Sequence, residues 1–316
     1  MSEFRKVITK PGEVIDFETV FEENTRIRTG VPAKAGHCER LEYTTSVYED
    51  GKTYKKYCYV YLPYGYDPED KEKKYNVLYF QHGNTCDPQM FGVGGNMPMM
   101  DMLFDSGEIE PCIMAFITYY MDPEGDYRER VEHGWVPAGD GNWPEIKDRY
   151  YVEVVEDIIP LVEMKYNTYL TDPSREGIKA TRDHRAFTGY SRGSLYTWNM
   201  FSRDFEYFRW FAPMSGHIRA GKPRGEEPTQ AEVIDFVTAG IRANPELPFF
   251  LYASSGNPDA EEMKKQMKFV TKLPGFSYGT DPVKNNVYLA ISDFYHTDFL
   301  VPYYLWNSLK VLFKGI

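Results

Sequence analysis

A serine held between two glycines is the first chemical signal in this sequence: Gly189-Tyr190-Ser191-Arg192-Gly193 matches G-x-S-x-G. Three fixed positions in five are weak evidence alone, but the flanks are specific. Arg185 to Thr188 reads as a strand, and Ser194-Leu195-Tyr196-Thr197-Trp198 opens a helix. The motif therefore falls on the strand, tight turn and helix that a nucleophile elbow requires. The reason is steric. A serine at such a turn occupies a strained backbone conformation, and its flanking glycines let strand and helix approach without a Cβ between them. The hydroxyl then projects above the sheet edge.

A serine hydroxyl is a poor nucleophile without a base. On an elbow of this kind the partners follow in the order serine, acid, histidine. Of the six histidines, only His217 and His296 come after Ser191. His296 follows the last predicted strand and precedes the C-terminal helix, where the base belongs. His217, directly after Met214-Ser215-Gly216, is assigned with Tyr190 to the substrate-binding surroundings. The acid should follow the predicted strand Pro248 to Ser254. Asp259 leads there, with Glu261, Glu262 and Asp293 behind it. A buried carboxylate at that point fixes the imidazole tautomer and stabilises the imidazolium as it forms. Asp259 also fits a helix N-cap ahead of acidic first-turn residues. Acyl transfer further needs donors for an oxyanion. The expected pair is the backbone N–H of Arg192 and that of Asn84, which follows Gln81-His82-Gly83 at the end of an early strand. His82 precedes that hole and is assigned a structural role.

These residues need a scaffold. Short apolar runs at Asn76–Phe80, Ile113–Thr118, Arg185–Thr188, Phe211–Met214, Phe249–Tyr252 and Val287–Ile291 suit strands buried on both faces of a parallel sheet. Helical stretches alternate with them: Tyr151–Tyr166, Ser194–Phe201, Ala231–Ile241, Ala260–Val270 and Phe299–Phe313. Ahead of them, Leu41–Tyr48 and Tyr54–Leu62 flank the turn residues Glu49-Asp50-Gly51 and read as an antiparallel ribbon. The expected fold is α/β, with a mostly parallel central sheet, an antiparallel N-terminal ribbon and helices on both faces. Residues 1–35 read as a polar arm, and 36–316 as a single catalytic domain. The segment 121–143 is Gly-rich, carries Trp135 and Trp143, and leaves the carboxyl edge of the sheet, where ligands bind in open α/β sheets. It reads as a lid-like insertion that contributes Trp135 and Trp143 to substrate binding.

Composition narrows the function classes. The chain has 316 residues, 47 acidic against 36 basic, and a net charge of −11. A phosphate backbone or an anionic membrane would be repelled, so neither nucleic acid nor membrane is an expected partner. No apolar run approaches the ~20 residues that span a bilayer. The opening Met1-Ser2-Glu3-Phe4-Arg5-Lys6 lacks the apolar core of a signal peptide. That fits a cytoplasmic chain or a secreted one whose leader has been removed. Cys38, Cys58, Cys86 and Cys112 form no CxxC pair, so neither a zinc site nor a disulfide scaffold is expected. Aromatic residues reach 16%, which suits a large aromatic core or rings lining a cleft.

Several separated motifs resemble the carbohydrate esterase family 1 group, typified by feruloyl esterases and related to esterase D. They are Val60-Tyr61-Leu62-Pro63-Tyr64-Gly65-Tyr66-Asp67, Leu78-Tyr79-Phe80-Gln81-His82-Gly83, Gly189 to Ser194, Tyr207 to Gly216, and His296 before an aromatic-rich terminal helix. The resemblance covers about Leu41 to Phe313. It implies an α/β-hydrolase fold, no cofactor, no metal, and hydrolysis of esters on plant polysaccharide or of small aromatic esters. It carries the nucleophile to Ser191, the acid to Asp259 and the base to His296. Within that chemistry the expectation is a feruloyl esterase acting on arabinoxylan. An acetyl xylan esterase or an esterase D-like thioesterase is the alternative, and a non-catalytic carbohydrate-binding relative a third reading. Two positions depart from the usual pattern: Arg192 stands where Met is common, and His217 where Asp is common.

Overall fold

The computed structural model describes residues 21–84, 86–92, 97–121, 144–222, 225–257 and 259–316. Within them eight strands form one sheet: β1 His37–Thr45, β2 Tyr54–Leu62, β3 Val77–Gln81, β4 Ile113–Ile117, β5 Arg185–Tyr190, β6 Trp210–Met214, β7 Phe250–Asn257 and β8 Val287–Tyr295. Their order across the sheet is β1-β2-β4-β3-β5-β6-β7-β8. β2 runs antiparallel to both β1 and β4, and every other pairing is parallel. This is the α/β-hydrolase arrangement, with the expected ribbon at one edge of a mostly parallel sheet.

The longer described helices are α1 Met97–Asp105, α2 Pro144–Glu153, α3 Arg192–Arg203, α4 Gln230–Ala243, α5 Ala260–Val270 and α6 Val301–Leu309. All residues of β3, β4, β5 and β6 are buried. Helices cover both faces of a parallel sheet, which is why these strands read as continuous apolar runs. β5 is fixed at its start by Arg185, whose buried guanidinium donates to Glu163 at 2.5 and 2.7 Å.

Several boundaries differ from the sequence reading, each for a physical reason. α2 begins at Pro144 and continues through a π-helical Val154–Ile158 into Ile159–Glu163. Its first turns are mostly polar, so apolar periodicity shows only from Val154. β7 continues past Ser254 and β8 continues to Tyr295, because backbone pairing persists after the side chains turn polar. The described part of the arm is docked rather than loose. Ile27 is buried, and Glu22 exchanges two 2.9 Å hydrogen bonds with the Asn307 side chain on α6.

The aromatic surplus goes largely inward. Trp198, Trp210 and Trp306 are fully buried, and Phe201 meets Trp198, Phe211 and Phe249 edge to face, as Phe205 meets Phe249. The bulk aromatic content therefore reports a core. All four cysteines are free, with Cys58 and Cys112 buried as small apolar residues. Among the described residues no group of three or more His, Cys, Asp or Glu is placed to hold a metal, and no helix is long and apolar enough to cross a membrane.

Candidate active site

Ser191 stands between the last residue of β5 and the first of α3, with φ 57° and ψ −112°. A non-glycine residue in that region is strained, and it persists only where its surroundings over-determine it. Two constraints are visible. The Ser191 N–H donates to Met214 O on β6 at 2.8 Å, and its carbonyl accepts from Ser194 N at 3.0 Å. The flanking glycines serve close approach. A Cβ on Gly189 would lie 2.4 Å from Gly193 O, and one on Gly193 would lie 2.0 Å from Gln81 O at the end of β3.

Two neighbouring strand ends deliver the other groups. Asn257 on β7 pairs with Tyr295 on β8 across a register shift at Ser255/Asn257. Asp259 lies two residues beyond the first strand and His296 one residue beyond the second, so the pairing sets them side by side. His296 Nε2 is 2.9 Å from Ser191 Oγ, and its Nδ1 hydrogen-bonds to Asp259 Oδ2. A carboxylate only accepts, so Nδ1 carries the proton and Nε2 is left to accept the serine hydroxyl. Asp259 makes no side-chain cap to α5, and its carboxylate turns to the imidazole instead. It is 25% exposed, not buried as expected, and the His296 side chain is 38% exposed. Glu261 and Glu262 face Lys264 and Lys265 on the outside of α5, and Asp293 is exposed.

The loop after β3 passes directly over the elbow. A Cβ on Gly83 would be 3.3 Å from Ser191 Cβ. Asn84 follows, and its side-chain oxygen accepts from an Arg192 guanidinium nitrogen at 3.3 Å. His82 is buried, with Nδ1 2.7 Å from Gly83 O and Nε2 2.8 Å from Thr118 Oγ1. Cys86, farther along the same loop, is no competing nucleophile. Burial, with Asp298 beside it, pushes its thiol up to about 12.

The substrate-binding expectations fare differently. Tyr190 is 4% exposed and turned inward, its ring 5.0 Å from the His296 ring at 37°. It backs the imidazole, because the residue before the elbow serine still belongs to buried β5. His217 is tied into a surface cluster, with Nε2 3.1 Å from Glu227 Oε2 while Arg219 donates to the same carboxylate at 2.8 Å. Trp135 and Trp143, with residues 122–143 of the insertion, lie outside the described residues. The helix that follows them is anchored to the ribbon. Glu153 is fully buried and accepts from Tyr43 Oη at 2.6 Å and from Lys56 Nζ at 2.6 and 2.9 Å. Tyr119 belongs to no motif. Its one sequence signal is its position just beyond the carboxyl end of β4, yet its hydroxyl donates to Gly83 O at 3.1 Å.

Comparison with known proteins bears on this geometry. Residues 55–248 match the Esterase family model, described as "Putative esterase". The chain is 30% identical over 260 residues to endo-1,4-beta-xylanase Y of Acetivibrio thermocellus, covering 80% of this chain and 21% of the relative. It is 27% identical over 191 residues to an endo-1,4-beta-xylanase/feruloyl esterase of Xylanibacter ruminicola, covering 59% and 23%. It thus spans about a fifth of the length of these curated relatives. Among solved structures it is similar to a feruloyl esterase module from Clostridium thermocellum complexed with sinapinate, with TM-score 0.75, 24% identity, and coverage of 98% and 97%. A ferulic acid esterase from the anaerobic fungus Anaeromyces mucronatus aligns with TM-score 0.64 at 16% identity, covering 94% and 98%.

Proposed function

We propose, from the premise that this chain belongs to the Esterase family, that it is a serine esterase hydrolysing feruloyl esters of plant cell-wall polysaccharide such as arabinoxylan. The observation that carries the reading is the line of hydrogen bonds from Asp259 through His296 to Ser191 on a strained elbow. The names of the xylan-degrading and feruloyl-esterase relatives support the choice of ester.

In this reading Ser191 Oγ attacks the ester carbonyl carbon while its proton passes to His296 Nε2. The oxyanion that forms is met by the backbone N–H groups of Arg192 and Asn84. Asp259 steadies the imidazolium through Nδ1. The imidazolium then gives its proton to the departing sugar oxygen, leaving an acyl-serine. Water, deprotonated by the same imidazole, releases the aromatic acid and restores Ser191. His82, buried and hydrogen-bonded at both nitrogens, takes no part as a base. Trp135 and Trp143 are proposed to supply aromatic surface to the acyl group, where ring stacking contributes ~0.5–1.5 kcal/mol beyond burial.

The test is a substrate panel of methyl ferulate against short-chain acetyl esters, with Ser191→Ala as the blank. The feruloyl reading expects methyl ferulate to have the higher kcat/KM, and Trp135→Ala to raise its KM while sparing the acetyl esters. Equal or better turnover of the acetyl esters would overturn the aromatic specificity and leave the acetyl xylan esterase alternative. Equal losses on both substrates in Trp135→Ala would overturn the aromatic role of the insertion.

A further inference from the structure

Oxyanion stabilisation depends on donors that are already aimed before charge develops. In the serine esterase proposed above, one donor sits on α3, whose first turn is fixed by the elbow. The other, the Asn84 N–H, sits on a loop and has no helix to aim it. In a trans peptide unit the C=O and the following N–H point in opposite directions in one plane. Whatever holds the Gly83 carbonyl therefore sets the direction of the Asn84 N–H.

Two buried donors hold that carbonyl. His82 Nδ1 is 2.7 Å from Gly83 O, and Tyr119 Oη is 3.1 Å from it. Because Nδ1 faces a carbonyl it carries the proton, so Nε2 accepts the Thr118 hydroxyl at 2.8 Å. Thr118 Oγ1 in turn accepts the Tyr120 N–H at 3.1 Å. The tautomer that grips Gly83 is thus itself set from the end of β4. Tyr119 does more than donate. The Arg192 guanidinium lies 5.1 Å from the Tyr119 ring centroid and donates to Asn84 Oδ1 at 3.3 Å. The same ring stacks on Tyr196 of α3, 4.9 Å away at 18°. One side chain thereby links the loop after β3, the end of β4 and the elbow helix.

We propose that Tyr119 is a positioning residue for the oxyanion, its hydroxyl fixing the Gly83–Asn84 peptide with the amide turned toward Ser191 and its ring carrying the Arg192 guanidinium that holds Asn84. Arg192 acquires a side-chain role alongside its backbone one, in the place where relatives often have Met. A freely rotating peptide would bind the ester nearly as well and stabilise the tetrahedral state less. The defect therefore belongs in kcat and not in KM.

The test uses Tyr119→Phe, which deletes the hydroxyl and keeps the ring under Arg192. An arylboronic acid is the probe. Its boron bonds to Ser191 Oγ as the hydroxyl proton passes to His296, and the tetrahedral anion places an oxygen where the oxyanion forms. The expected result is a fall in kcat of about tenfold or more with KM within about twofold. The boronate should lose affinity by the same factor, with an unchanged circular dichroism spectrum. Thr118→Val, which frees the His82 ring, should repeat the pattern and serves if Tyr119→Phe does not fold. A kcat loss with no loss of boronate affinity, a change in KM alone, or wild-type kinetics in both variants would overturn the proposal. A wild-type enzyme insensitive to the boronate would instead overturn the Ser191 reading on which it rests.

Discussion

Gly193 and Gln81 approach so closely that a methyl group on the glycine would lie 2.0 Å from the glutamine carbonyl oxygen. The obstacle is backbone, so no rotamer change relieves it. Gly193→Ala should therefore push α3 away from the end of β3, costing ~3 kcal/mol. Urea unfolding at equilibrium measures the loss. A midpoint within error of wild type would mean that strand and helix are less tightly joined than this contact requires.

Ser191 separates activity from stability. Ser191→Ala should lower kcat by about 10⁴–10⁶ and leave the fold intact. Ser191→Gly should be equally inactive yet more stable, since glycine adopts a positive φ without the strain of ~1–3 kcal/mol that the serine bears. Differential scanning calorimetry of the three proteins decides it. A glycine variant that melts below the alanine variant would contradict the strain argument.

The acid can be tested against its neighbours. Asp259→Asn should cost ~10⁴ in kcat, because an amide N–H facing Nδ1 selects the wrong imidazole tautomer. Glu261→Gln, Glu262→Gln and Asp293→Asn should stay within about twofold of wild type, since none of those side chains meets the imidazole. A crippled Asp293 variant beside a healthy Asp259 variant would move the acid to β8.

Asp204, at the end of α3, gives a pH-dependent prediction. Burial raises its carboxyl to about 8, and Oδ2 has no hydrogen-bond partner among the described residues. The folded chain thus keeps a proton that the unfolded chain loses near 3.8. Between those values the folded state binds one proton more, so this group's contribution to stability falls as pH rises, by up to ~1.4 kcal/mol per unit. Above about 8 it falls no further. Asp204→Asn removes the effect. Its stability relative to wild type should grow from pH 5 to pH 8 and then level off, as read by urea midpoints across that range. A constant difference would place the ionised carboxylate in the fold.

The legible parts of this molecule were those set by local sterics or by burial. The elbow could be read because only glycine tolerates the approach at Gly189 and Gly193. The inner strands could be read because burial on both faces leaves no polar interruption. The sequence shortens α2 because its first turns, from Pro144, carry mostly polar residues, and β7 because Ser255, Gly256 and Asn257 look like a loop although the strand continues through them. A motif gives the order of residues and not the side of the strand each one takes, so the packing of the Tyr190 ring on His296 is visible only in the fold. Tyr119 offers the sequence only its place beyond β4, and the Arg192 guanidinium only a charge where Met is common. Their meaning lies in the meeting of β3, β4 and α3 ends, which no window of sequence contains.

The sheet order has a consequence in time. Ser191 is set by β5 in the middle of the sheet, while His296 arrives just after β8, the edge strand opposite the ribbon. During synthesis the elbow can close on β3 and β6 well before residue 296 exists. Until the last strand docks, the serine has a finished turn and no proton acceptor. Recovery of turnover during refolding would then act as a clock for the final docking event, and the nascent chain would stay chemically silent until its architecture is complete.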